Sequence, residues 1–184
     1  MKKVLIGIVV VIALICVSLF STYNGLVAAN ENVTGKWSQV ENQLQRRSEL
    51  IPNLVNTVKG YAAHETAVFK NVSDARAKLA GATTVADKAA ANGELNGALS
   101  RLLAISENYP QLKANQNFAQ LQDELAGTEN RLAVARRDYN NAAQSFNAKV
   151  KSFPTNILAG MFGFGPREYF KADEGAKTVP QVKF

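Results

Sequence analysis

Residues 33–79 read VTGKWSQVENQLQRRSELIPNLVNTVKGYAAHETAVFKNVSDARAKL, and one apolar seam runs through them in steps of four and three. It passes Val33, Trp37, Val40, Leu44, Arg47, Ile51, Leu54, Val58, Tyr61, Glu65, Val68, Val72, Ala75 and Leu79. Twelve of these fourteen positions are apolar, against seven of the 33 residues between them, which is the contrast a helix with one buried face produces. The register survives Pro52, so the spacing predicts one kinked helix of about 70 Å rather than two helices joined at the proline. Beyond Leu54 the stripe widens through Val55, Ala62 and Phe69, which suits a globular bundle better than a two-stranded coiled coil.

Downstream, Gly81 marks a turn and Thr84 an N-cap, with Asp87 three residues on. Residues 86–108 carry Leu95, Leu99 and Leu102 in step, with Tyr109 just after them, Pro110 interrupts, and residues 112–125 resume with Phe118, Leu121 and Leu125. Gly127-Thr128 is expected to end that helix and cap the next. The last helix, 128–151, repeats the spacing at Leu132, Ala135, Tyr139, Ala142, Phe146 and Val150. No comparable strand alternation occurs, so the chain is expected to be all-α: an up-and-down antiparallel bundle of three to four long helices.

Upstream, Met1-Lys2-Lys3 leads into Val4–Phe20, seventeen residues without a charge, and uncharged residues continue to Asn30. That run is just long enough for a transmembrane helix, with Tyr23 placed as an interfacial residue. A cleaved signal peptide is the rival, but no small-x-small site closes the run, which favours an uncleaved anchor. Cys16 follows Ile15 instead of the small residue that lipoprotein processing needs. Lys2 and Lys3 flank one side of the span and no basic residue follows until Lys36. The expected topology is therefore single-pass in a cell membrane, N-terminus cytoplasmic and bundle outside. Three regions result: the anchor at 1–22, the bundle at 23–152, and a tail at 153–184 rich in Gly, Pro and aromatic residues. The tail either covers the end of the bundle or lies on the membrane surface through Ile157, Leu158, Met161, Phe162 and Phe164.

The chain has 184 residues, a net charge of +6, one His and one Cys. Those counts exclude a disulfide scaffold and a His-Cys metal cage. His64-Glu65 begins the zinc-protease pattern, but Val68 stands where the second His is needed, and no other His exists. Gly160, Gly163 and Gly165 lack the Lys-Ser/Thr pair of a phosphate-binding loop. Neither catalytic residues, metal nor cofactor is expected. The pairs Arg46-Arg47 and Arg136-Arg137 are interspersed with acids, so nucleic acid is not an expected partner. Arg47 and Glu65 break the seam. In an antiparallel fold they call for partners, Arg101 for Glu65 and Asp123, Glu124 or Glu129 for Arg47, as a polar seam fixing helix register or as a polar groove that accepts a ligand or partner helix.

An ordered set of motifs accompanies this pattern: Tyr23-Asn24-Gly25-Leu26-Val27, Leu44-Gln45-Arg46-Arg47, Leu50-Ile51-Pro52-Asn53-Leu54-Val55, Val58-Lys59-Gly60-Tyr61-Ala62, Leu99-Ser100-Arg101-Leu102, Glu107-Asn108-Tyr109-Pro110, Glu129-Asn130-Arg131, Ala135-Arg136-Arg137-Asp138-Tyr139-Asn140, and the closing Pro-x-Val-x-Phe of 180–184. Together they resemble the LemA family of bacterial membrane-anchored helical proteins over nearly the whole chain. The resemblance implies one anchor followed by a helical bundle and brings no reaction or catalytic residues with it. The expected function is a membrane-tethered, non-enzymatic interaction or scaffold protein of the cell envelope, with a protein partner or itself as neighbour. The alternative is a lipid-binding or membrane-shaping protein acting through 153–170.

Overall fold

A computed structural model of the protein describes residues 2–171; the Pro-x-Val-x-Phe motif lies outside the described residues. These residues are all-α, as the spacing predicts, and no strand occurs among them. The helices are α1 (Lys2–Lys59), α2 (Thr66–Gly81), α3 (Val85–Ser106), α4 (Pro110–Lys113), α5 (Gln116–Lys151) and α6 (Thr155–Met161). They form two compact units, one of residues 2–38 and 138–167, the other of residues 39–137 and 168–171.

The apolar run and the first bundle helix are a single uninterrupted helix, α1. Its hydroxyl side chains fold back on the helix: Thr22 donates to the Ser18 carbonyl at 2.8 Å and Thr57 to the Asn53 carbonyl at 2.9 Å. The N-terminal stretch is fully outside the protein core and is long and apolar enough to cross a membrane.

Pro52 lies inside α1 and does not end it. Without an N–H it cannot serve the carbonyl of Ser48, four residues back. Arg76 of α2 takes that place, donating through Nε at 2.9 Å, so the proline creates a tie between two helices.

The predicted continuity to Leu79 fails eight residues further on, at Gly60–Glu65. Gly60 has the largest backbone entropy to lose in a helix. The freed carbonyls are met by tight turns, Val58 accepting from Tyr61 and Ala62 at 3.0 and 2.9 Å, and Ala62 from Glu65 at 3.1 Å. The six-residue loop happens to preserve the apparent heptad phase, which is why the sequence reads straight through it. Burial passes to the neighbouring stripe: Ala62 and Phe69 are core residues whereas Tyr61 is exposed.

A second correction concerns Gly127-Thr128, where α5 runs on unbroken. Thr128 is completely buried, and its Oγ1 donates to the Glu124 carbonyl at 2.8 Å, so the hydroxyl is satisfied inside the helix instead of capping a new one. The predicted cap at Thr84 does form, its Oγ1 accepting from the Asp87 N–H at 3.0 Å. Asn115 caps α5 in the same way through Phe118 N–H at 3.1 Å, and its Nδ2 donates to the Tyr61 hydroxyl at 2.9 Å.

In the first unit, Leu26 and Val33 of α1 are buried with Ala143, Phe146 and Val150 of α5 and Ala159 of α6. Trp37 packs on Tyr139 with ring centroids 5.0 Å apart. Gly163, at φ +74°, ends α6, and the Phe164 N–H reaches back to the Ala159 carbonyl at 2.9 Å. Buried Asn147 then clamps the chain: its Oδ1 accepts from the Arg167 N–H at 2.6 Å and its Nδ2 donates to the Arg167 carbonyl at 2.8 Å. The Arg167 guanidinium donates to Asn30 Oδ1 of α1 at 2.7 Å.

In the second unit, the core is Val40, Leu44, Ile51, Leu54 and Val58 of α1 with Val72, Leu79, Leu95, Leu102, Phe118, Leu125 and Leu132. Lys78 and Glu94, 2.6 Å apart and both exposed, mark the antiparallel register of α2 against α3.

Candidate functional site

The polar group that the core of the second unit encloses is built around Arg47. It is 6% exposed and donates through Nη1 to Asn92 Oδ1 of α3 at 3.1 Å and to Glu129 Oε2 of α5. Glu129 serves a second guanidinium, with Oε1 3.7 Å from Nη2 of Arg136 one heptad further along α5. The face of Arg136 is covered by the Phe170 ring, centroid 4.8 Å from the guanidinium carbon. Two cations thus share one carboxylate in a poorly solvated site. Burial pulls the pKa of Arg47 down and Glu129 opposes it. Burial also lowers Arg136, Glu129 opposes that, and the positive charge of Arg47 lowers it further. Nε of each arginine is buried without a hydrogen-bond partner.

A guanidinium neither gives nor takes protons near neutrality. Arg47 is held by α3 and α5 at once, so a slip of either helix by one residue would strand its charge. Such buried charge is the kind that specifies register at some cost in stability.

The other residues of the predicted polar seam are placed differently. Glu124 lies 3.5 Å from Arg46, and both are over half exposed. Glu65 stands at the N-cap of α2 without a side-chain cap bond, its carbonyl accepting from Val68 and Phe69 N–H at 3.1 and 3.2 Å. Arg101 is exposed in a groove beside Asn71, Asp74, Lys78 and Glu94. No ion pair joins Glu65 to Arg101 among the described residues. The break at 60–65 takes Glu65 off the helix, and the Lys78–Glu94 register brings Arg101 opposite Asn71 instead.

Sequence reasoning missed Asn92, Arg136 and Phe170 as partners. Two of them carry a legible signal. Asn92 is one step of three before Leu95 on the seam of α3. Glu129 and Arg136 fall on an alternative seam of α5, Leu125, Glu129, Leu132, Arg136, Tyr139, Ala143, Phe146, Val150, in steps of four and three. Phe170 has no periodicity to betray it.

In the first unit, Phe162 and Phe164 face Tyr23 of α1, with ring centroids 4.7 and 6.0 Å away, and Phe164 also meets Phe146 edge-on at 6.4 Å. Ile157, Met161 and Phe162 remain more than half exposed, while Leu158 and Phe164 are half-buried. His64 is exposed, and no three His, Cys, Asp or Glu side chains gather as a metal site among the described residues.

A family model, that of the LemA family, matches residues 36–184. The chain belongs to the LemA family. Magnetosome protein MamQ 2 of Paramagnetospirillum magneticum is 30% identical over 96% of this chain and 75% of its own length. Magnetosome protein MamQ of Magnetospirillum gryphiswaldense is 30% identical over 90% and 71%. Protein LemA of Metamycoplasma hominis is 25% identical over 82% and 69%. The LemA match covers the Arg47 cluster and α6 alike, and it begins beyond the apolar run of α1.

Proposed function

We propose that this LemA-family chain is a non-enzymatic, membrane-tethered interaction or scaffold protein of the bacterial envelope, with its N-terminus cytoplasmic and its helical body on the other side. The observation that carries the reading is the continuity of α1, in which the apolar run passes without a break into a helix that supplies core residues to both units. A tether of that kind holds a body at a fixed place on a membrane, which suits recognition of neighbours.

Three further points support it. Lys2 and Lys3 lie on one side of the run, and Lys36 is the first basic residue on the other. The buried charges act on helix register, and the single His stands apart from them. Two of the relatives named above are named for an assembly, the magnetosome, and not for a reaction.

Photo-cross-linking of the full chain in native membranes, read by mass spectrometry, tests the proposal. The expected product is a defined protein neighbour or a homo-oligomer. Recovery of monomer alone, where known complexes are trapped in parallel, overturns it.

A further inference from the structure

Apolar side chains left in the open need an occupant, and on α6 the surroundings name one. Ile157 and Met161 of α6, with Phe153 and Phe162 flanking it, are between 54% and 81% exposed, although Ala159 of α6 is fully buried. Ile157 and Met161 are four residues apart and share a face. The Phe162 ring packs 4.7 Å from that of Tyr23. Tyr23 lies three residues past Phe20, where the uncharged aliphatic run ends, which is about 4.5 Å of helix rise. The open cluster is therefore held beside the point at which α1 leaves the bilayer, the depth where aromatic side chains settle.

Charge points the same way. From Tyr139 to Arg167 there is no acidic residue, and the cations Lys149 and Lys151 close α5 just before the cluster. Exposed lysines bordering an apolar face match an anionic phospholipid surface. A second copy of the chain is a poorer fit, because four side chains offer much less than the roughly 800 Å² per partner of a stable interface.

We propose that α6 and the turn before it form a second contact with the bilayer that α1 crosses, with Phe153, Ile157, Met161 and Phe162 seated at the boundary between headgroups and acyl chains. The proposal rests on α1 being a bilayer span. The contact acts in addition to the tether: it fixes the rotation of α1 about its own axis, because the clamp of Asn147 and Asn30 on Arg167 joins the 162–167 segment to α5 and α1.

The test uses the full chain in phosphatidylcholine–phosphatidylglycerol vesicles containing lipids brominated near the top of the acyl chains. Native Trp37, the single tryptophan, lies about 25 Å along α1 from Phe20 and supplies an unquenched reference. In a Trp37→Phe background, Met161→Trp and, separately, Ile157→Trp report on α6, and Phe20→Trp reports on the span. These sites are exposed, so a larger ring fits without repacking, and helix content by circular dichroism checks the fold. The expected result is a loss of about half the emission at 161 and 157, comparable with that at 20. Quenching at 20 with red-shifted, unquenched emission at 161 and 157 shows a solvated α6 and overturns the inference while the span stands. Blue-shifted but unquenched emission there shows protein cover, a second copy included, and overturns it equally. Absence of quenching at 20 overturns the span and the inference together.

Discussion

Glu129→Gln keeps the volume of the side chain at the Arg47 cluster and removes its charge. The carboxylate is the shared counter-ion of Arg47 and Arg136, so the substitution leaves two guanidiniums facing each other. Removing one partner of a fully buried ion pair costs about 3–5 kcal/mol. Here Arg47 is buried but the Glu129 side chain keeps 37% of its surface in water, which screens part of the loss and brings the expectation to about 2–3 kcal/mol. For a chain of this size each kcal/mol moves the midpoint by about 2–4 °C, so Tm should fall by about 4–12 °C. Thermal unfolding of the full chain in detergent, followed by circular dichroism, reads the shift. Glu124→Gln is the control, because it breaks only the exposed pair with Arg46 and should shift Tm by less than about 2 °C. Replacing the whole group, Arg47→Met with Asn92→Leu, Glu129→Leu and Arg136→Met, should return most of the loss, since apolar side chains of similar size carry no desolvation cost and no buried polar partner is orphaned. The sign of any pH effect follows from the lowered arginine values. Folding disfavours the charged guanidinium, so stability from this source would rise as pH climbs through the lowered folded arginine values. A guanidinium keeps its proton in proteins, so the Glu129→Gln penalty should stay constant between about pH 6 and 9. A Glu129→Gln shift indistinguishable from that of Glu124→Gln would refute the register role of the cluster.

Three other outcomes follow from single contacts. Arg76→Ala should cost about 0.5–1.5 kcal/mol in the native chain and less than half of that beside Pro52→Ala, which restores a helix donor to the Ser48 carbonyl; a double-mutant cycle with no coupling would disprove the tie. Asn147→Ala removes both hydrogen bonds to the Arg167 backbone, so amide exchange in 164–168 should accelerate about 5- to 100-fold while α3 is unaffected; equal protection in both chains counts against the clamp. In a Cys16→Ala background a membrane-impermeant maleimide added to intact cells should label Ser145→Cys and spare Lys2→Cys, and the reverse pattern would invert the proposed topology.

The all-α class, the continuity of α1 through Pro52 and the cap at Thr84 were legible because each depends on residues within a few turns of one another. Heptad spacing records which face of a helix is buried, and a Thr with Asp three residues on records where one begins. The failures share a cause. The loop at 60–65 is invisible to periodicity because its length mimics the helical phase, and only packing shows burial moving from Tyr61 to Ala62. Gly127-Thr128 has the composition of a boundary, yet a buried hydroxyl can be satisfied inside a helix when its neighbours exclude water.

The apolar run of α1, its length and the charges on either side of it are one-dimensional facts, and the sequence alone determines them. Which charges meet is another matter. Arg47 sees Glu129 and Asn92 because α3 and α5 both pack on α1, whereas Glu65 and Arg101 are separated by a register that two short turns set. Likewise the sequence supplies the apolar residues of 153–164, and the tertiary structure decides which of them are buried and which stay exposed. Pairing over long separations depends on the relative placement of whole helices, and that is fixed by the sum of their packing, not by the residues that end up in contact.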